Sequence, residues 1–148
     1  MPASILLLDD DPAVTYALKG VLRSEGYTAY TANDAEQAKV IITEHSVSLV
    51  IMDFIFPGQD GAQIVKELEK IDETLKIIIL TGYCDILRIV EGLRLDVYKV
   101  LLKPVDPEVL ISTLKNMCLE EMDPHQLVDT YQKMYERHFI RPPRIEDL

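Results

Sequence analysis

Five polar side chains that could bind a cation and transfer a charged group stand directly after short apolar runs of the sequence. They are two adjacent aspartates, a third aspartate, a threonine and a lysine: Asp9, Asp10, Asp53, Thr81 and Lys103. Carboxylates that are forced together repel each other and lose solvation, so their close approach requires a cation or a shared proton. Hard oxygen ligands without a neighbouring His or Cys favour Mg²⁺, which keeps several waters and leaves room for a phosphoryl oxygen. These residue types suit a carboxylate nucleophile that accepts a phosphoryl group while a metal and a lysine stabilise the charge.

The apolar runs that precede these side chains alternate with segments of helical period. Residues 5–8, 49–52 and 77–80 are continuous runs of Ile, Leu, Val and Met, as expected of strands covered by helices on both faces. Residues 27–31 and 97–102 are more mixed and predict strands nearer the edges of the sheet. The alternation predicts five βα units with a parallel sheet.

The carboxyl ends of the parallel strands should lie along one edge of such a sheet, which is where α/β proteins bind ligands. Taken singly, each of the five polar residues is more simply interpreted as a turn residue, a helix cap or a surface side chain. An acidic pair, an acid, a hydroxyl and a lysine at four strand ends in order are much harder to obtain by accident. Asp11, the third consecutive aspartate, is expected to be only a helix cap.

Three helix starts share the signature of aspartate followed by proline, at residues 11–12, 106–107 and 123–124. Aspartate accepts hydrogen bonds from the first turn, and proline at the first helical position loses none. The third pair predicts a further helix in a C-terminal extension over residues 121–148. Its apolar side chains share one face: Leu127, Tyr131, Met134 and Tyr135.

Length and charge narrow the class of protein. The chain has 148 residues, 48% of them apolar, which suffices for one domain with a buried core. A net charge of −10 argues against binding nucleic acid phosphates or anionic lipid. Cys84 and Cys118 lack metal-ligand spacing, no leader precedes the first apolar run, and no run approaches the roughly 20 residues that span a bilayer. We therefore expect a cytoplasmic protein without a membrane span.

Four segments of the sequence resemble the receiver domain of two-component response regulators. They are ILLLDDDP at residues 5–12, DFIFPGQDG at 53–61, ILTGY at 79–83 and LKP at 102–104. The resemblance covers residues 1–120 and implies a CheY-like, doubly wound (βα)5 fold with a five-stranded parallel sheet of order 2-1-3-4-5. The domain organisation expected is a receiver over residues 1–120, followed by the extension.

The resemblance also implies a role for each polar residue. Asp53 would accept a phosphoryl group from a phosphohistidine of a sensor histidine kinase or phosphotransfer protein, Lys103 would pair with the acyl phosphate, and Thr81 would move to hydrogen-bond it. Mg²⁺ would be held by three carboxylates and one backbone carbonyl: Asp9, Asp10, Asp53 and Ile55. The implied protein is a switch that signals to an output partner and assists its own phosphorylation and dephosphorylation. It is not an enzyme with a diffusible substrate.

Two positions depart from the family's pattern. The aromatic residue usual three positions before the lysine is replaced by Val100, and Tyr98 lies about 6.5 Å further along the strand. The positions that adjust phosphate lifetime, two beyond the acceptor and two beyond the threonine, hold Ile55 and Tyr83. An apolar side chain and a bulky ring should hinder attacking water, which predicts slow autodephosphorylation.

Several alternatives stay open. A degenerate receiver could act as a binding module without phosphorylation, although the intact set of five polar residues argues against it. A phosphatase of the haloacid dehalogenase type needs a second aspartate where this chain has Ile55, and a flavodoxin would have its phosphate repelled by residues 9–11. The extension could pack on the receiver, form a homodimer on phosphorylation, or lead to an output domain.

Overall fold

The protein is described here from a computed structural model that covers residues 3–83, 86, 89–90, 93–94 and 97–117. The chain divides into two compact units, residues 1–109 and residues 110–148. Among the described residues, none of the helices is both long enough and apolar enough to span a membrane. The predicted helix of residues 121–148 and both cysteines lie outside the described residues.

A five-stranded parallel sheet forms the centre of the first unit. Its strands are β1 (Ser4–Leu8), β2 (Thr28–Ala32), β3 (Leu49–Asp53), β6 (Lys76–Thr81) and β7 (Lys99–Leu102). The order is β2-β1-β3-β6-β7 with every neighbouring pair parallel. The two remaining strands, β4 (Ile55–Phe56) and β5 (Gln59–Asp60), form a separate antiparallel hairpin. When the hairpin is left out, the order is the predicted 2-1-3-4-5.

The two mixed runs do form the edge strands, but their predicted bounds are shifted. β2 begins at Thr28 rather than at residue 27, because the Tyr27 N–H still donates to the Leu22 carbonyl at the end of the preceding helix. Gly26, with φ of +90°, makes the turn between the two elements. At the other edge, residues 97 and 98 precede β7, which begins at Lys99.

The four helices whose bounds the described residues give are α1 (Pro12–Ser24), α2 (Ala35–Glu44), α3 (Gly61–Ile71) and α4 (Pro107–Met117). An aspartate precedes each of them and accepts a hydrogen bond from a backbone N–H of the first turn at 2.8–3.0 Å: Asp11, Asp34, Asp60 and Asp106. The first two Asp-Pro helix starts are thus confirmed, and the third lies outside the described residues. Ile86, Ile89 and Val90 are also helical, in a segment predicted to be a helix.

The central strands are buried on both faces. Successive side chains of a strand point to opposite faces, and Ile5, Leu6 and Leu7 are each at most 1% exposed. On the face of Leu6, side chains of α2 and α3 complete one apolar cluster that includes Ala38 and Leu68. The rigid strand ends that result carry the polar residues at the carboxyl edge.

Candidate functional site

The three aspartates predicted to act together meet at the carboxyl edge of β1 and β3. Asp9 and Asp10 follow β1 directly, Asp53 ends β3, and these strands are paired in register, Leu8 opposite Met52. One carboxylate oxygen from each aspartate lies within 4.8 Å of one from each of the others. The parallel register of two neighbouring strands is what brings residues 44 positions apart into one acidic cluster, defined here as Asp9, Asp10 and Asp53.

The surroundings of the three carboxylates differ. Asp9 is 5% exposed, and its Oδ1 accepts the Asp11 N–H at 2.9 Å. Asp53 is half-buried, and its Oδ1 accepts the Ile55 N–H at 3.0 Å. Asp10 is exposed. Two of the carboxylates are therefore held in a fixed orientation by backbone two residues further along the chain, while the third faces solvent.

Lys103 lies between the two oriented carboxylates. Its Nζ donates to Asp9 Oδ2 at 2.7 Å and to Asp53 Oδ2 at 2.9 Å. Burial lowers the pKa of Lys103, but the hydrogen bonds to the two aspartates outweigh it, so the pKa lies above its ordinary value of 10.5. The side chain is an ammonium ion at neutral pH and offsets part of the charge of the cluster. The peptide bond from Lys103 to Pro104 is cis.

Thr81 is the last residue of β6, the strand between β3 and β7. It is fully buried, and its Oγ1 accepts the Tyr83 N–H at 3.2 Å. Its carbonyl accepts the Lys103 N–H at 2.8 Å, which ties the end of β6 to the lysine. The hydroxyl therefore stands one residue beyond Leu80, the residue that pairs with Asp53 across the sheet.

The donor set of the acidic cluster fits a divalent cation with oxygen ligands. Two oxygens on opposite sides of one such ion are about 4–5 Å apart, given metal–oxygen distances of about 2.0–2.6 Å. This is the largest separation that two ligand oxygens of one ion can have, and one oxygen from each of the three carboxylates lies within 4.8 Å of the others. The exposed Asp10 leaves an approach for the ion from solvent. The cluster could therefore hold a metal ion.

Of the other residues singled out in the sequence, Ile55 and Tyr83 lie just beyond the carboxyl ends of β3 and β6, whereas Tyr98 and Val100 lie toward the amino end of β7. Ile55 is 47% exposed and Tyr83 is 63% exposed, and the backbone N–H of each is bonded to the side chain two residues before it. Val100 is partly buried against the apolar cluster, and Tyr98 is 46% exposed. Asp11 caps α1 through its own Oδ1, as expected.

One feature of the site was not predicted from the sequence. After Asp53 the chain turns through the β4–β5 hairpin, with Gly58 at φ of +69°, and enters α3 at Gly61. Each strand of the hairpin has only two residues, too few to show an apolar alternation. The Asp60-Gly61 pair, a helix cap followed by a glycine, was the available signal for this return.

Most of the chain matches a known protein family. Residues 5–115 match the family model described as the response regulator receiver domain. The chain belongs to the response regulator receiver family. Its sheet order is the one expected for a receiver. Receiver domains of this family are phosphoacceptor switches of two-component systems.

Named relatives and solved structures agree with this assignment to the receiver family. The transcriptional regulatory protein AruR of Pseudomonas aeruginosa is 34% identical over 122 residues, which cover 79% of this chain and 50% of AruR. The sporulation initiation phosphotransferase F of Bacillus subtilis is 33% identical over 115 residues, covering 78% of this chain and 93% of that protein. The structure of chemotaxis protein CheY4 from Vibrio cholerae superposes with a TM-score of 0.71 at 26% identity, covering 78% of this receiver and 98% of that chain.

The share of each relative that aligns with this chain differs. The receiver chain described here spans about half of AruR but nearly all of phosphotransferase F. The similarity to AruR therefore concerns that half of AruR alone.

Proposed function

We propose that Asp53 of this receiver accepts a phosphoryl group from the phosphohistidine of a histidine kinase or phosphotransfer protein, in a reaction that requires Mg²⁺. The observation that carries the proposal is the position of Lys103, whose Nζ contacts both Asp9 and Asp53 beside the exposed Asp10. This arrangement combines a half-buried carboxylate nucleophile, a fixed positive charge and a cation site within a few ångströms.

The metal ligands proposed are the carboxylates of Asp9, Asp10 and Asp53 with the backbone carbonyl of Ile55. Mg²⁺ is preferred over softer ions because every donor is a hard oxygen and the described residues place no His or Cys in the cluster. When bound, Mg²⁺ would neutralise charge on the phosphoryl oxygens and hold them for in-line attack.

In the proposed step, a carboxylate oxygen of Asp53 attacks the phosphorus of the donor phosphohistidine. A P–O bond to Asp53 forms as the P–N bond breaks, and the imidazole leaves with the electron pair of that bond and takes up a proton. Lys103 stabilises the charge on the transferring group, since its ammonium already lies 2.9 Å from Asp53 Oδ2. The backbone N–H of Ile55 keeps the other oxygen of Asp53 in place at 3.0 Å.

The proposed output is a shift between two conformations that begins at Thr81. Its Oγ1 accepts the Tyr83 N–H at 3.2 Å, so the hydroxyl proton can be donated to a phosphoryl oxygen on Asp53, and the hydroxyl would move toward that oxygen. Because the Thr81 carbonyl also accepts the Lys103 N–H, movement at Thr81 would be passed to the end of β7. Phosphorylation would then change the populations of two arrangements of these strand-end loops.

The proposed setting is the cytoplasm, where kinases draw on ATP. Association of two copies on phosphorylation stays a prediction, which light scattering of the full chain with and without a phosphoryl donor would test.

The experiment that tests the proposed function is intact-protein mass spectrometry after incubation with acetyl phosphate and Mg²⁺. The wild-type chain should gain the mass of one phosphoryl group, and this gain should be lost when Mg²⁺ is chelated. Asp53→Asn should gain nothing. A phosphatase would instead consume acetyl phosphate continuously, and a degenerate receiver would gain no mass in any condition.

The matched control is Asp34→Asn. Asp34 is the N-cap of α2, and asparagine caps a helix as well as aspartate does. The same chemical change away from the cluster should leave phosphorylation intact. Equal phosphorylation of Asp53→Asn and Asp34→Asn would contradict the assignment of the acceptor.

A further inference from the structure

Gly61, the first residue of α3, lies against the backbone of the residue that follows the proposed acceptor. A Cβ built on Gly61 would overlap the Phe54 carbonyl oxygen and would lie 2.9 Å from the carbonyl carbon and 3.0 Å from Phe54 Cγ. Real Cβ atoms essentially never approach other atoms closer than 3.0 Å. The oxygen and carbon belong to the backbone, so relief would require the chain itself to move.

The backbone that would have to move is the backbone that shapes the cation site. Phe54 stands between Asp53, the proposed acceptor, and Ile55, whose N–H holds Asp53 Oδ1 at 3.0 Å. Phe54 is 6% exposed and is packed into the apolar cluster, so it has little room to yield on its other side. Displacement of the Phe54 carbonyl would therefore be transmitted to its two neighbours.

The start of α3 cannot easily move away from Phe54, because the β4–β5 hairpin and the helix cap hold it in place. Ile55 is paired with Asp60 across the β4–β5 hairpin, and Asp60 Oδ1 accepts the Ala62 N–H at 3.0 Å as the helix cap. The residues from Asp53 to Gly61 thus form a closed return that is pinned at both ends. The missing side chain of Gly61 is what allows this return to close.

We infer that Gly61 is a positioning residue for the metal site. Its lack of a side chain sets the distance between α3 and the Phe54 carbonyl. That distance in turn determines where the Asp53 carboxylate and the Ile55 carbonyl lie. The inference rests on the proposed function, because it concerns the same Mg²⁺ site. Mg²⁺ demands near-ideal octahedral geometry at about 2.0–2.1 Å, so a shift of a few tenths of an ångström in two ligands is costly. Gly61 itself contacts neither the metal nor the phosphoryl group.

The test compares Gly61→Ala with the wild type by calorimetric titration with Mg²⁺ and by the amide NMR signal of Ile55. We expect Gly61→Ala to weaken Mg²⁺ binding by about tenfold or more, the size of effect seen when residues that orient metal ligands are changed. We also expect the Ile55 amide proton to shift, because its bond to Asp53 is disturbed. The NMR signal needs no metal, so it reports on the inference even if the wild type binds no Mg²⁺, a result that would instead refute the proposed function.

Two control variants separate positioning from general stability. Gly20→Ala makes the same chemical change in α1, where nothing lies within 4 Å of the added Cβ, and should leave Mg²⁺ affinity within twofold of the wild type. Leu68→Ala removes a fully buried side chain from the second half of α3 and should lower stability without moving the Ile55 signal. If Gly61→Ala binds Mg²⁺ as tightly as Gly20→Ala with an unchanged Ile55 signal, the inference is wrong. It is equally wrong if Leu68→Ala weakens Mg²⁺ binding to the same extent.

A milder pair of variants at Asp60 decides the question if Gly61→Ala does not fold. Asp60→Ala removes the helix cap and the charge, whereas Asp60→Asn removes only the charge. We expect Asp60→Ala to shift the Ile55 amide signal and to weaken Mg²⁺ binding by about two- to threefold relative to Asp60→Asn, because the start of α3 is released. Identical behaviour of the two Asp60 variants would overturn the inference.

Discussion

Asp9 and Asp10 are adjacent in the chain but have different environments and, we propose, different tasks. Asp9 is 5% exposed, and the protein supplies a hydrogen bond to each of its oxygens, from the Asp11 N–H and from Lys103. Asp10 is exposed and gives a cation its first contact from solvent. Both aspartates follow the last residue of β1, and their carboxylates reach the same cluster although only Asp9 is buried.

The lifetime of the phosphoryl group is the first residue-scale prediction. Ile55 and Tyr83 are both substantially exposed, and the backbone of each is bonded to the proposed acceptor or hydroxyl. The Ile55 side chain has no polar atom to orient a water, and the bulky ring of Tyr83 should hinder its approach, so we expect a lifetime of minutes or longer. Ile55→Asn should shorten it about tenfold, because the amide can position the attacking water. Loss of phosphate from the pre-phosphorylated protein, followed by mass spectrometry after the donor is removed, measures this.

The control for Ile55→Asn is Val40→Asn, which places the same amide on an exposed position of α2 away from the cluster. Its dephosphorylation rate should match that of the wild type. A wild-type lifetime of seconds that Ile55→Asn leaves unchanged would contradict the prediction.

That these side chains lie together at one edge of the sheet could be predicted from the sequence, but their contacts could not. Strand ends and residue types suffice to bring Asp53 and Lys103 to one edge, because parallel strands share their direction. The lysine donates to Asp9 as well as to Asp53. This contact depends on the side-chain rotamers of two residues, Lys103 and Asp9, that are 94 positions apart in the chain. The contact of Gly61 with the Phe54 carbonyl likewise arises only when the helix is packed.

At the scale of elements, the sheet was the most predictable part of the fold. Continuous apolar runs distinguished β1, β3 and β6 as central strands, and the mixed runs were correctly expected at the edges. The β4–β5 hairpin was missed because its Pro57-Gly58 turn joins strands of only two residues. Strands of two residues are too short to carry a periodic pattern.

A surface ion pair joins two helices on the face of the sheet that carries the apolar cluster. Lys39 of α2 donates to Glu67 of α3 at 3.1 Å and to Glu36 of its own helix at 3.1 Å. The hydrogen bonds to Glu67 and then Glu36 raise the pKa of Lys39, and the hydrogen bond from Lys39 lowers the pKa of Glu67. These shifts make the stability that the pair contributes dependent on pH.

The pH dependence predicts a specific difference between the wild type and Lys39→Met. The pKa of Glu67 is depressed below its ordinary 4.5, so its contribution is present above that pH and is lost as the pH falls through the folded value. The pKa of Lys39 is raised above 10.5, so its contribution is present below that pH and is lost above the folded value. We expect the wild type to be slightly more stable than Lys39→Met at pH 7, and the difference to vanish in acid.

Urea unfolding from pH 3 to pH 7 measures this difference without the ionic screening that guanidinium would introduce. The difference should also shrink in 1 M NaCl, where the Debye length is about 3 Å. A gap between wild type and Lys39→Met that stays constant from pH 3 to pH 7 would show that lost packing, and not the ion pair, is responsible.

At the scale of the whole molecule, part of the net charge of −10 is concentrated in the acidic cluster, where it can bind a cation. Three carboxylates share the cluster, and Lys103 offsets only one of their charges. A ligand that binds the folded chain and not the unfolded one stabilises it by mass action. Metal binding at the cluster should therefore be visible in the unfolding of the entire receiver.

We predict that Mg²⁺ stabilises the wild-type fold by about 2.7 kcal/mol when its free concentration is about 100 times the dissociation constant. Asp10→Asn should lose this stabilisation, because a charged ligand is removed. Without metal, Asp10→Asn should be as stable as the wild type or more so, by up to about 1 kcal/mol, since one repulsive charge is gone. Thermal unfolding with Mg²⁺ and with chelator measures both effects, and an equal response of Asp10→Asn and wild type to Mg²⁺ would remove Asp10 from the ligand set.

The most direct test of the central claim is to identify the phosphorylated residue itself. The receiver is phosphorylated with acetyl phosphate and Mg²⁺, treated with borohydride, which reduces an aspartyl phosphate to homoserine, and digested for tandem mass spectrometry. We predict homoserine at position 53 and aspartate at positions 9 and 10, with no homoserine in the sample lacking Mg²⁺. Homoserine at another aspartate, or unmodified Asp53 after full incubation, would contradict the assignment of Asp53 as the acceptor.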